Sequence, residues 1–254
     1  MDETRLPLVE HLAELRRRIV WILVAWLTGS ILAWQFRAEI FGVLLRPAIA
    51  ALAPDGGTLQ AIAPTEIFFT YLKCALLAGF VGTLPVFFWQ TWAFVSPGLY
   101  VREKKLVVPF VLASTLLFLS GASFGYFVVF PVMFEFFTGF EAEYVRSAWT
   151  MREVFAFTTR MFLAFGVAFE LPILVFFLAL AGILSAAHLL RGTPYAILAI
   201  FIAAAILTPS PDWVSQVLLG VPMVGLYLLG VGVAWLFGER RKTAEAASAA
   251  VQKV

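Results

Sequence analysis

Glu103 stands between Arg102 and the pair Lys104 and Lys105, in the stretch FVSPGLYVREKK (residues 94–105) that separates two long apolar runs, 68–92 and 106–130. A carboxylate among three cations can be a solvated partner in a loop whose positive charge marks one side of a membrane. It can equally be a docking group that accepts a cation from another molecule, and charge spacing alone leaves both readings open. Two more carboxylates, Glu10 and Glu14, precede the first apolar run. They lie on one edge of a segment whose Leu8, Leu12 and Leu15 recur at i, i+4 and i+7, the pattern of an amphipathic helix at a membrane surface. Glu170 is the one charge in the run 161–181. An acid at that depth is costly unless it finds a partner or is neutralised. Pro172, two residues on, removes a backbone donor and leaves the carbonyl of Ala168 available.

The elements that position these groups follow from composition. Of 254 residues, 62% are hydrophobic and 13% charged, with 26 Phe and 8 Trp, which indicates membrane helices. A net charge of +2 is too small to argue for nucleic acid. The single cysteine, Cys74, permits no intramolecular disulfide and reads as a packing residue. Two His and one Cys without ligand spacing imply no metal site and no cofactor. The chain carries no Gly-rich phosphate loop, serine nucleophile elbow or zinc motif, so no enzyme activity is expected. Residues 1–18 mix both charges and lack the form of a secretory signal, so the run after them reads as a retained span.

Six spans are expected, at about 19–36, 68–92, 106–130, 154–181, 194–207 and 213–237, in one all-α domain over residues 1–238. Residues 239–254 are expected to form a disordered cytoplasmic tail. Pro85 should kink the second span by freeing the carbonyl of Val81. A helix along the interface is expected over 39–52, an external segment over 131–153, and a polar loop with His188 and Arg191 over 182–193. The fifth span holds only 14 uncharged residues, about 21 Å of helix against a hydrocarbon core of about 30 Å. It should tilt little and thin the bilayer locally, or leave a concave, cupped face of the bundle open to lipid. With the N-terminus inside, the cytoplasmic segments hold twelve Lys and Arg and the external ones four, so both termini and residues 94–105 are expected in the cytoplasm.

Five stretches in order carry a resemblance: HLAELRRR (11–18), FVSPGLYVREKK (94–105), GYFVVFP (125–131), FGVAFELP (165–172) and LTPSPDWVSQ (207–216). Together with six spans they resemble the TatC family, the multi-spanning receptor subunits of the twin-arginine protein translocase. The resemblance implies a protein of the bacterial cytoplasmic (inner) membrane that binds paired-arginine signal peptides of folded proteins. Export would be driven by the proton-motive force, with the single-span subunits TatB and TatA as partners and oligomers within a hetero-complex. It implies Glu14 and Glu103 as the carboxylates for the arginine pair, with Phe94 and Pro97 framing the second. It implies Glu170 as an intramembrane carboxylate and Gln216 as its polar companion, both for docking a partner helix. Asp212 becomes the acid of an external turn, although TPSPD (208–212) is one residue longer than the expected turn. A proton- or ion-coupled secondary transporter is the alternative, since it too would carry proline breaks and a midplane carboxylate. The chain's halves show no internal repeat, and a pure scaffold would not need Glu170.

Overall fold

The computed structural model describes residues 5–52, 58–95, 107–139, 148–180, 186–208 and 213–251, with side chains for 9–52, 58–94, 107–139, 148–180, 186–208 and 213–236. Among the described residues the regular structure is helical, apart from one isolated bridge between Gln60 and Thr150. Six stretches are long and apolar enough to cross a membrane: Val9–Trp34, Pro64–Gly82, Val107–Thr138, Met151–Ala179, Ala186–Leu207 and Trp213–Leu236. The six expected spans are therefore present, and the differences lie in where helices begin, end and break.

Helix α1 (Arg5–Trp34) is continuous. The amphipathic segment and the first span are one rod, because no Gly or Pro interrupts the sequence between Pro7, in the first turn, and Gly29. Arg37 ends it, donating to the Trp34 carbonyl at 3.1 Å and lying over the Trp34 ring at 4.9 Å. The interface helix is two helices, α2 (Arg37–Leu44) and α3 (Arg46–Leu52), which meet at the buried Leu45 just before Pro47. The second span breaks as Pro85 requires, into α4 (Pro64–Gly82) and α5 (Leu84–Val95). Thr83 fills the break. Its N–H and its hydroxyl both reach the Gly79 carbonyl, at 3.1 and 2.8 Å.

The third span, α6 (Val107–Phe124), does not stop before Pro131. It passes through a π-helical turn, Gly125–Val129, into α7 (Phe130–Thr138). The wider turn lets Phe130 N–H bond to Gly125 and makes room for the proline ring without ending the helix. The fourth span divides into α8 (Met151–Phe169) and α9 (Leu171–Leu180), on either side of Glu170 and just before Pro172. Helix α10 (Ala186–Leu207) takes in most of the expected polar loop, including His188 and Arg191. The uncharged run is 14 residues as read, yet the helix carrying it has 22, about 33 Å. It runs through Pro194 where the Leu189 carbonyl accepts Thr193 Oγ1 at 3.2 Å and the Tyr227 hydroxyl at 2.7 Å. Helix α11 (Trp213–Val251) continues through most of the expected tail, whose alanine-rich sequence favours helix.

Contacts divide the chain into two compact units, Met1–Leu116 with Phe134–Thr159, and Leu117–Met133 with Arg160–Val254. In the first, α1 lies along α4 and α5, and α2 packs on α4. The α1 and α4 backbones touch: a Cβ added at Gly79 would fall 2.3 Å from Ser30 Oγ and 2.5 Å from Ser30 N. Small residues at this crossing let the main chains approach without intervening side chains, as membrane helices do where water cannot drive association. One turn away Trp26 Nε1 donates to the Leu76 carbonyl at 2.8 Å. In the second unit, α9 and α10 each pack on α11. There glycines and phenylalanines interlock, Gly121 beneath Phe165 and Phe169, and Gly166 beneath Phe118.

The Gly79 crossing can be tested with a neighbour as control. Gly79→Val should destabilise the purified protein by about 1–3 kcal/mol, through overpacking against the Ser30 backbone. Gly82→Ala meets nothing within 4 Å and should leave the Tm unchanged or higher. Thermal unfolding in detergent reads both, and an unaltered Tm in Gly79→Val would show that α1 and α4 are not in contact there.

Candidate functional site

The N-terminal part of α1 and the C-terminal part of α5 meet through one stripe on each helix. On α1 the stripe is His11, Glu14 and Arg18, at i, i+3 and i+7, and on α5 it is Gln90 and Phe94, at i and i+4. Both spacings put side chains on a single helical face. The His11 ring stacks on Phe94, with centroids 4.3 Å apart and planes 15° from parallel. Arg18 grips Glu14 Oε1 with Nε at 3.0 Å and Nη2 at 2.5 Å, and directs Nη1 to Gln90 Oε1 at 3.2 Å. The pair is largely covered, Arg18 18% exposed and Glu14 27%. A carboxylate, a guanidinium and an amide therefore form a chain of charge-assisted bonds across the two helices.

Two turns further along α1, the same seam opens into an apolar cleft of about 260 Å³, lined by Ile22, Trp26, Phe80, Thr83 and Phe87. At the end of α5, Trp92 is buried. Its ring stacks on Phe110 of α6 at 4.7 Å and its Nε1 donates to Ser114 at 3.0 Å. This clamp holds together the two helices that residues 96–106 connect.

Of the residues singled out in the sequence, Glu14 and Phe94 are brought to this one site. Glu103, Pro97 and Asp212 lie outside the described residues. Glu170 and Gln216 belong to the second unit. Glu170 occupies the break between α8 and α9. Its N–H reaches Val167 O at 3.0 Å, its carbonyl accepts Leu174 N–H at 2.9 Å, and its Oε1 is enclosed by protein. Gln216 is half-buried in the first turn of α11. Among the described residues no cluster of three or more His, Cys, Asp or Glu is placed to hold a metal ion.

Sequence reasoning missed His11, Arg18 and Gln90. The i, i+4 spacing of Glu14 and Arg18 was a signal for their pairing; nothing local signals Gln90, 72 residues away in the chain. It also missed Glu66, at the opposite end of α1. There Oε1 accepts the Arg152 N–H at 2.8 Å, capping the first turn of α8, and Oε2 accepts the Ile62 N–H at 3.0 Å. Beside it the Gln60 main chain bonds to Trp149 O and Met151 N at 2.9 and 2.8 Å.

Known proteins resemble this chain over most of its length. Residues 10–222 match the family described as Sec-independent protein translocase protein (TatC). The TatC protein of Desulforapulum autotrophicum is 41% identical over 244 residues, covering 96% of this chain and 90% of its own length. That of Koribacter versatilis is 41% identical over 245 residues, covering 95% and 90%. A crystal structure of the twin-arginine translocase receptor TatC superimposes with a TM-score of 0.78 at 33% identity, covering 88% of this chain and 97% of that one. A second, in the detergent DDM, gives 0.80 at 33% identity, covering 88% and 99%.

The Trp92 clamp has a measurable role apart from any carboxylate. Trp92→Phe keeps a ring and loses the N–H, and should cost about 1 kcal/mol. Trp92→Ala empties a buried site and should cost about 3–5 kcal/mol. Thermal unfolding separates the two, and equal Tm values would deny the ring its packing role.

Proposed function

The chain belongs to the TatC family of Sec-independent protein translocases, and on that premise we propose which of its residues take up a paired-arginine signal peptide. It is a multi-pass membrane protein and a subunit of the Tat translocase, the receptor of the twin-arginine pathway. Glu103 and Glu14 hold the two guanidiniums. Each guanidinium is a planar fork that a carboxylate accepts at two points, so two arginines need two acids on one face. Phe94 and Pro97 frame the approach to Glu103. The observation that carries the reading is the contact of α1 with the end of α5. Glu14 is linked through Arg18 to Gln90, and His11 is stacked on Phe94, nine residues before Glu103 in the chain.

Both termini and residues 94–105 face the cytoplasm of a bacterial inner membrane, as the twelve-to-four bias of Lys and Arg supports. There a precursor presents its signal before crossing. Arg102, Lys104 and Lys105 set the depth of their segment against anionic headgroups. Folded cargo then moves at the expense of the proton-motive force, in a complex with TatB and TatA. Glu170 and Gln216 supply polar groups for the partner helices. An acid enclosed beside a proline break, where the helix ladder is already interrupted, suits a polar side chain on a single-span subunit.

Glu103→Lys should abolish binding of a labelled paired-arginine signal peptide to the purified, folded protein. Glu14→Ala should weaken it by roughly tenfold, since one charged site remains. Unchanged affinity in Glu103→Lys would overturn the assignment.

Glu170→Ala should leave insertion and signal-peptide binding intact while reducing crosslinking between the Glu170 region and a single-span subunit, and with it export. Undiminished crosslinking and normal export would reduce Glu170 to an internal packing group.

A further inference from the structure

Glu14 already holds a guanidinium. Arg18 presents to it the fork that a guest arginine would present, with Nε and Nη2 on one carboxylate oxygen, and keeps its remaining nitrogen on Gln90. Two arginine forks cannot share that oxygen in this geometry. We propose that Arg18 is a resident stand-in for one arginine of the signal peptide, held on Glu14 by Gln90 until the guest displaces it. This rests on the reading of Glu14 as one half of the arginine-pair site.

The physics of the exchange is specific. Arg18 lies one helical turn from Glu14, in the favourable order with the acid N-terminal, so the pair forms within one segment and at high effective concentration. Each such pair is weak by itself on a helix surface, so the stand-in can be dislodged. A guest anchored at a second carboxylate has the advantage that a lone cation lacks. Gln90 is a positioning residue here. Its amide oxygen accepts from Arg18 and fixes the plane of the fork. Competition of this kind divides the affinity of every guest by the same factor. Arg18 therefore sets how strong a guest must be, and leaves the preference between guests to the carboxylates themselves.

The test is a titration of the full-length protein in detergent with labelled signal peptides carrying either an arginine pair or a lysine pair. Arg18→Gln should bind both peptides roughly two- to fivefold more tightly, with the ratio between them unchanged. Arg18→Lys keeps the charge and an i, i+4 ion pair but loses the fork, and should show a smaller gain in the same direction. Gln90→Leu, which loosens the stand-in without removing it, should show a smaller gain in the same direction. Equal or weaker binding in folded Arg18→Gln overturns the proposal. So does a gain confined to Arg18→Gln and absent in Arg18→Lys, which would be simple charge repulsion, and so does a shifted arginine-to-lysine ratio, which would mean direct contact with the guest. If the Arg18 variants fail to fold, unchanged binding in Gln90→Leu overturns it instead. Glu14→Gln separates the two ideas. If that change alone leaves arginine-pair binding intact, the Glu14 reading fails. If it weakens binding and also cancels the gain from Arg18→Gln, exchange at Glu14 stands.

Discussion

Hydrocarbon offers no hydrogen bonds, so each backbone amide and carbonyl in a span must find its partner inside the protein. The internal prolines in this chain violate that rule locally, and the helices change at or near them. Before Pro85 a backbone N–H at the cap of α4 reaches the Val81 carbonyl, while Thr83 bonds the Gly79 carbonyl with its own N–H and hydroxyl. The turn before Pro131 widens to π-helical spacing. Next to Pro194, whose missing N–H would have served the Leu190 carbonyl, Thr193 and Tyr227 converge on the adjacent Leu189 carbonyl. Before Pro172 the residue in the gap is Glu170, a carboxylate where the other breaks have hydroxyls or a wider turn. The acid of this span thus sits where a proline interrupts the helix ladder.

Hydropathy identified the spans because it measures which residues tolerate lipid. It could not locate helix ends, since helical hydrogen bonding continues past the last apolar residue. Thus α10 begins at Ala186, ahead of Arg191, and α1 runs unbroken from its surface segment into its span. Prolines were legible as faults but not in their outcome. Pro85 splits a span, whereas Pro131 and Pro194 are absorbed, Pro131 through a π-helical turn in which the Phe130 N–H reaches Gly125. Glu14 and Glu103 were singled out from motifs, and of the two the described residues include Glu14. The groups that hold Glu14 were only partly legible: Arg18 is local, and Gln90 arrives through the packing of α1 on α5.

The first unit divides its labour between the two ends of α1. At one end bonds are made by charged and aromatic side chains: His11 on Phe94, Arg18 on Glu14 and Gln90. At the other, Glu66 and the Gln60 main chain bind backbone groups, which no guest supplies in the same geometry. Between them the Gly79–Ser30 approach and the Trp26 bond keep α1 against α4. Side-chain contacts at one end and main-chain contacts at the other divide the helix, so that a change of side-chain partners at the first need not spread along it.

Glu66 also has a place in time. Its amide partner at Arg152 comes 86 residues later in the chain. At a synthesis rate of about 5–20 residues per second, roughly 4–17 seconds separate the two on the ribosome. During that interval the second and third spans are made while the cap of the fourth has no helix to close. The bridge between Gln60 and Thr150 forms over the same wait, so these contacts record that the first three spans have been made and the fourth has begun. A nascent chain truncated before residue 150 would carry both Glu14 and Glu103 and yet lack the bonds that tie Glu66 and Gln60 to residues 149–152.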